Sequence, residues 1–242
     1  YYNKGRIMKK NVNTCFLIIG LLSLMLSCKE PIPVIQACTL VEEPALTEEP
    51  TPTLVEKIAN NDSEDVAPKP CVIPEAEENA KLEISAVLQD FSIEQEEKMH
   101  DALARLKIVI NSKEFKQKVL DHQFEGQNSF EDNDGLTNEE IYDLIMLGSE
   151  VLQPEDDEQM DLDITLYYAS NSTVGYTYPD TVRTWINNKF FKTYTLGKVA
   201  GNVAHEWTHK LGFGHDFRNT ANRKYSVPYG VGNIVKELVD KM

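Results

Sequence analysis

The run His205-Glu206-Trp207-Thr208-His209-Lys210-Leu211-Gly212-Phe213-Gly214-His215 spells H-E-x-x-H-x-x-G-x-x-H. On an α-helix, residues four apart lie on one face a turn apart, so His205 and His209 can reach a single metal ion. Imidazole nitrogens suit zinc, and a catalytic zinc site takes three protein ligands and keeps one position for water. Glu206 stands about 100° round the helix from His205, where its carboxylate can reach that water. A third ligand cannot come from the same straight helix. Gly212 supplies the break, because glycine enters the left-handed conformation that ends helices without a Cβ penalty. The chain can then return and bring His215 to the ion.

The helix itself supports this. Ala200, Val203, Ala204, Trp207 and Leu211 recur at helical spacing and form an apolar stripe opposite the face of His205 and His209. One face therefore packs into a core while the other borders a cleft.

These eleven residues resemble the zinc signature of the metzincin metallopeptidases, and a weaker resemblance extends from about Phe91 to the C-terminus. It implies an α/β (α+β) fold with a small twisted mixed sheet, an active-site helix and a C-terminal helix around a zinc cleft. It also implies peptide-bond hydrolysis, with one Zn2+ held by His205, His209 and His215. Glu206 would move a proton from the zinc-bound water to the leaving amine. An antiparallel edge strand lies along the cleft in that clan and holds extended substrate by main-chain hydrogen bonds. Gly175, Tyr176, Thr177 and Tyr178, ended by Pro179, are the candidate substrate-binding stretch; an ordinary edge strand is the plainer alternative.

The chain departs from the clan's pattern at one place. No methionine lies between His215 and Lys241, whereas metzincins carry one in a tight turn beneath the zinc. Tyr225 to Gly230 resembles that turn, with Pro228 where the methionine would stand. The resemblance makes Tyr229 a candidate for an oxyanion-stabilising or zinc-binding role, against a packed aromatic as the alternative. A helix is expected over Asn233 to Met242.

At the other end, Lys9 and Lys10 precede an apolar run, Phe16 to Leu26, too short to span a bilayer. Met25-Leu26-Ser27-Cys28 follows and resembles a bacterial lipoprotein lipobox, in which the cysteine is lipidated. Residues 1–27 thus read as upstream residues plus an export signal, with Cys15 lost alongside it. Residues 28–80, punctuated by Pro31, Pro33, Pro44, Pro50, Pro52, Pro68, Pro70 and Pro74, read as a disordered tether. Between Lys29 and Lys98 stand seventeen acidic and five basic residues, a net of −12 out of −15 for the chain. That charge argues against nucleic acid as a partner. Expected instead are a polypeptide substrate and a bacterial membrane, outer membrane or cell surface, reached through lipidated Cys28.

Cys38 and Cys71 could pair within the tether. Cys71 also partly resembles the latency cysteine of matrixins, without its glycine and with shifted spacing.

Residues 81–242 read as the zinc domain, ordered from near Leu82. Ser92 with Gln95 forms a capping box for a helix carrying Met99, Leu103, Leu106 and Ile110, and Lys113 to Leu120 suggests a second. Asp132-Asn133-Asp134-Gly135 invites a calcium loop, but the EF-hand spacing would put Phe130 and Ile141 at ligand positions. A turn and a helix capped by Thr137 and Glu140 fit better. After an acidic loop around Pro154 to Asp161, strands are expected at Ile164 to Tyr168, Thr173 to Pro179 and Thr184 to Phe191. Three other readings stay open: Glu237 as a third ligand on a later helix, a non-catalytic zinc-binding lipoprotein, and a zinc hydrolase of cell-wall peptides.

Overall fold

The computed structural model describes residues 72–242. The signal-like segment, Cys28, Cys38, Cys71 and most of the acidic segment lie outside these residues. Along the chain come β1 (Glu83–Gln89), α1 (Ile93–Ile110), α2 (Lys113–Leu120), the short pair β2 (Gln123–Phe124) and β3 (Gln127–Asn128), and α3 (Asn138–Leu147). Then follow β4 (Gln159–Tyr167), β5 (Gly175–Thr177), β6 (Arg183–Asn187), α4 (Asn188–Phe191), α5 (Leu196–Lys210) and α6 (Val227–Lys241). The class is mixed α/β. One four-stranded sheet runs β1-β4-β6-β5, with the first three strands parallel and β5 antiparallel at the edge.

Local signals explain most of these elements. Ser92 and Thr137 each cap their helix through a reciprocal box with Gln95 and Glu140. Asn133 closes its own turn, accepting from Gly135 N at 3.0 Å and donating to Leu136 O at 2.8 Å. β4 lies inside the sheet between β1 and β6; Met160, Leu162, Ile164 and Leu166 are buried, while Asp163 meets Arg183 across to β6 at 3.2 Å.

Four expectations need correction. β4 begins at Gln159 and ends at Tyr167, so the acidic loop stops earlier than its charge suggested. Its aspartates alternate with buried apolar residues and leave the core, as period-two geometry allows. The strand expected over Thr184 to Phe191 ends at Asn187, whose side chain accepts from Lys189 N and starts α4. β1 was not foreseen as a strand. It pairs in parallel with β4, and order extends before it: Glu77 N donates to Asn111 O and Lys113 N to Glu75 O, so the packed region begins near residue 75. Finally, α6 starts at Val227 rather than Asn233, with Pro228 in its first turn, where a proline sacrifices no helical hydrogen bond.

That early start lets α6 lie along α5 at very short range. A Cβ on Gly201 would stand 2.5 Å from the Gly232 carbonyl oxygen, and one on Gly232 would stand 2.7 Å from that of Gly201. Gly197 faces Lys236 and Asp240 in the same way. Alanine would improve helix propensity by up to about 1 kcal/mol. The opposing atoms are backbone carbonyls, however, so overpacking of about 1–3 kcal/mol should outweigh that gain. Gly201→Ala and Gly232→Ala should each lower the urea midpoint. Gly214→Ala, which meets nothing within 4 Å, should stay within about 0.5 kcal/mol of the parent. Equal midpoints for all three would refute the close contact.

Candidate metal centre

α5 is fixed at both ends and along its buried face. Thr195 caps it by accepting from Lys198 N, and Val199, Ala200, Val203, Ala204 and Trp207 are buried. Leu211, the last residue of the expected stripe, is partly buried. Trp207 Nε1 donates to Glu150 Oε1 at 2.6 Å, and the same oxygen accepts from Asp161 N at 3.0 Å. At the far end, Lys210 Nζ donates to the carbonyls of Thr181 at 2.6 Å and Arg183 at 2.9 Å. The helix therefore cannot turn about its axis without breaking bonds to the sheet.

Gly212 follows with φ at +100°, a backbone conformation that favours glycine. Its N–H donates to His209 O and that of Phe213 to Thr208 O, satisfying the last carbonyls of the helix. The reversed chain brings His215 back, and ligand atoms of His205, His209 and His215 lie within 4.8 Å of one another. Among the described residues, this is the only group of three or more His, Cys, Asp or Glu side chains placed to share an ion. Glu237, the rival third ligand, is instead paired with Lys118 at 3.2 Å and Lys241 at 3.0 Å.

Two of the imidazoles are oriented by backbone carbonyls. His209 Nδ1 lies 2.7 Å from Phe213 O and His215 Nδ1 lies 3.1 Å from Asp216 O, while the Pro228 carbonyl lies near enough to His205 to favour its protonated form. A carbonyl can only accept, so the facing nitrogen carries the proton and the other keeps its lone pair for a metal. Burial pushes His209 down to about 4 and His205 and His215 down as well, with neighbouring histidines and Arg223 adding to the effect. All three rings are therefore neutral near pH 7. Three neutral imidazoles with no carboxylate among them suit zinc, whereas calcium or magnesium would call for oxygen ligands.

Glu206 is buried, at 4% exposure. Burial pushes its carboxyl up to about 8, opposed by a hydrogen bond from Asn202 and by the Lys210 charge. Asn202 Nδ2 reaches Glu206 Oε1 at 3.4 Å, while Asn202 Oδ1 is buried without a partner. β5 crosses directly over this pair. A Cβ on Gly175 would stand 2.9 Å from Glu206 Oε1 and 3.0 Å from Asn202 Oδ1.

The other sequence candidates are placed differently. Tyr176 stacks on Trp185 at 5.1 Å, Tyr178 packs against both, and Thr177 Oγ1 donates to Arg183 O. These side chains pack along the sheet, and Gly175 is the residue whose backbone reaches Glu206. Tyr229 packs its ring 4.5 Å from that of His205 and 4.9 Å from that of His215, with the Arg223 guanidinium 4.7 Å over its own ring. Asn202, the Pro228 carbonyl and Arg223 were missed from sequence. Asn202 stands four residues before Glu206, a spacing that could have flagged it; the other two depend on how α6 packs.

This donor set should take up one equivalent of zinc in the full chain. His209→Ala should lose that equivalent on dialysis while keeping its far-UV circular dichroism. Stoichiometric zinc in that variant would rule out the three-histidine centre.

Comparison of the chain with protein-family models, with curated proteins and with solved structures found no match.

Proposed function

We propose that the chain is an extracytoplasmic zinc-dependent metalloendopeptidase of metzincin-like build. The observation that carries the reading is the position of Glu206: a buried carboxylate one residue from the first of three clustered imidazoles, directly beneath the backbone of an antiparallel edge strand. His205, His209 and His215 would hold the ion. When bound, zinc polarises a carbonyl and makes water acidic near neutral pH.

The chain's own residues supply the rest. β5, paired only with β6 in the sheet order, offers its other edge to an extended peptide, which main-chain hydrogen bonds would hold over the centre. Gly175 lets that strand approach without a side chain to displace Glu206. Glu206 takes the proton from the attacking water at its buried carboxylate and delivers it to the leaving amine. Burial raises the carboxyl, which favours the second half of that transfer, delivery of the proton. Asn202 fixes one carboxylate oxygen and leaves the other for water. Tyr229, packed on two of the imidazoles, limits their rotation.

A peptide-library digest with the zinc-loaded full chain tests this. Glu206→Ala should retain zinc and lose roughly 10²–10⁴-fold in turnover. Gly175→Val, which crowds the same carboxylate, should also lose turnover without losing zinc. Undiminished turnover in Glu206→Ala would assign the proton transfer to another group. No hydrolysis by the parent, with zinc bound, would favour a non-catalytic zinc protein.

The export reading is also a proposal and rests on the lipobox-like Met25-Leu26-Ser27-Cys28. Cys28→Ser should move the protein from the membrane fraction to the soluble fraction of the expressing bacterium. Persistent membrane association of the variant would exclude lipidation there.

A further inference from the structure

Beyond the three imidazoles, one cation stands out beside the centre. Arg223 lies in a short 3-10 turn, Arg223–Tyr225, just before α6. Its guanidinium sits over the face of Tyr229, and the edge of that same ring packs on His205 and His215. The arginine is thus one aromatic ring away from the metal ligands, and its charge bears on all three. Stacking uses the face of a guanidinium and leaves its in-plane N–H donors free for other partners. Arg223 Nε is buried without a hydrogen-bond partner, which leaves the terminal Nη groups to meet a ligand, and among the described residues neither Arg223 nor Lys224 forms an ion pair. They line a cavity of about 270 Å³ together with Asn219, Thr220, Ala221 and Tyr229.

The geometry points to Arg223 as a substrate-specificity residue: its guanidinium, with Lys224 beside it, binds a peptide carboxylate close to the scissile bond. The inference rests on the peptidase reading and adds the class of peptide preferred. A planar fork of N–H donors matches a carboxylate in a two-point contact. An extended peptide advances about 3.3–3.6 Å per residue. The guanidinium lies 4.7 Å from the Tyr229 ring and that ring 4.5 Å from the His205 ring, so a chain whose reacting carbonyl sits at the imidazole cluster can bring a residue within about three of it to Arg223. The carboxylate belongs either to an Asp or Glu side chain there or to the free C-terminus of a short peptide. Asn219 and Thr220 provide neutral polar groups around the same space.

Two measurements on the full chain separate this inference from the reading beneath it. The first compares kcat/KM for matched peptides carrying Glu or Gln within about three residues of the cleaved bond, and for the same peptides with a free or an amidated C-terminus. The parent should prefer the carboxylate by roughly ten- to a hundredfold, the range of a charge-assisted hydrogen bond. That ratio should collapse toward one in Arg223→Gln and recover in part in Arg223→Lys. The pair that shows the preference, Glu over Gln or free end over amide, identifies the source of the carboxylate.

The second follows the guanidinium Nη–H resonance of Arg223 by NMR in zinc-loaded Glu206→Ala, which binds without turnover. The resonance is assigned by its absence in Arg223→Lys. Titration with the carboxylate peptide should shift it, and the neutral peptide should not. A shift without hydrolysis by the parent would keep the carboxylate site and overturn the peptidase reading. Hydrolysis with equal rates for charged and neutral peptides, and an unmoved resonance, would overturn the site and leave the peptidase. Neither hydrolysis nor shift would overturn both.

Discussion

The contact on which the site depends is the backbone-to-backbone approach of α5 and α6 at Gly201 and Gly232. With side chains at those positions the helices would stand apart by the usual 8–10 Å between axes. Here α6 comes close enough for Gly232 to face the Cβ of His205. The first turn of α6 then lands under the imidazole cluster, with the Pro228 carbonyl on His205 and the Tyr229 ring against His205 and His215. A helix N-terminus built from a proline and a tyrosine thus packs against the imidazoles. Proline fits there because its fixed φ suits a first helical turn and its missing N–H has no helical partner to lose.

The same packing sets the electrostatics. Glu206 would be an ordinary solvated carboxylate if β5 did not cover it, and β5 can cover it because residue 175 has no side chain. On the opposite side, Lys210 is held by two carbonyls rather than by Glu206 itself. Its ammonium therefore moderates the carboxylate without neutralising it in a direct salt bridge. A carboxyl without a salt bridge thus survives in a buried place, an expensive arrangement that proteins generally keep only where it serves a function.

The sequence made the centre legible because its ligands are local. Eleven consecutive residues carry three imidazoles, the acid and the glycine, and their helical spacing defines geometry without any knowledge of the rest. Helices α1, α2 and α3 were equally legible through Ser92, Lys113 to Leu120, and Thr137 with Glu140, since capping is a matter of three or four neighbouring residues. Features set by distant pairing were harder. β1 looks unremarkable until it is laid beside β4, and the aspartates of β4 read as loop until alternate residues turn out to be buried. Arg223 carries no local mark at all. It becomes notable only when Tyr229 is placed between it and the histidines. The glycines of α5 read as weak points in a helix, and their purpose appears only with α6 alongside.

The locality of the ligand set also orders events in time. A loop of about ten residues closes in roughly 10–100 ns, and a helix of this length relaxes within about a microsecond. The parallel pairing of β1 with β4 must instead join residues as far apart as Glu83 and Gln159, and such long-range pairing is slow. The three imidazoles can therefore come together before the sheet exists. Gly175, Tyr229 and Arg223 reach the centre only after β5 and α6 have docked. Assembly of the imidazole cluster and completion of its surroundings are thus separate stages of folding.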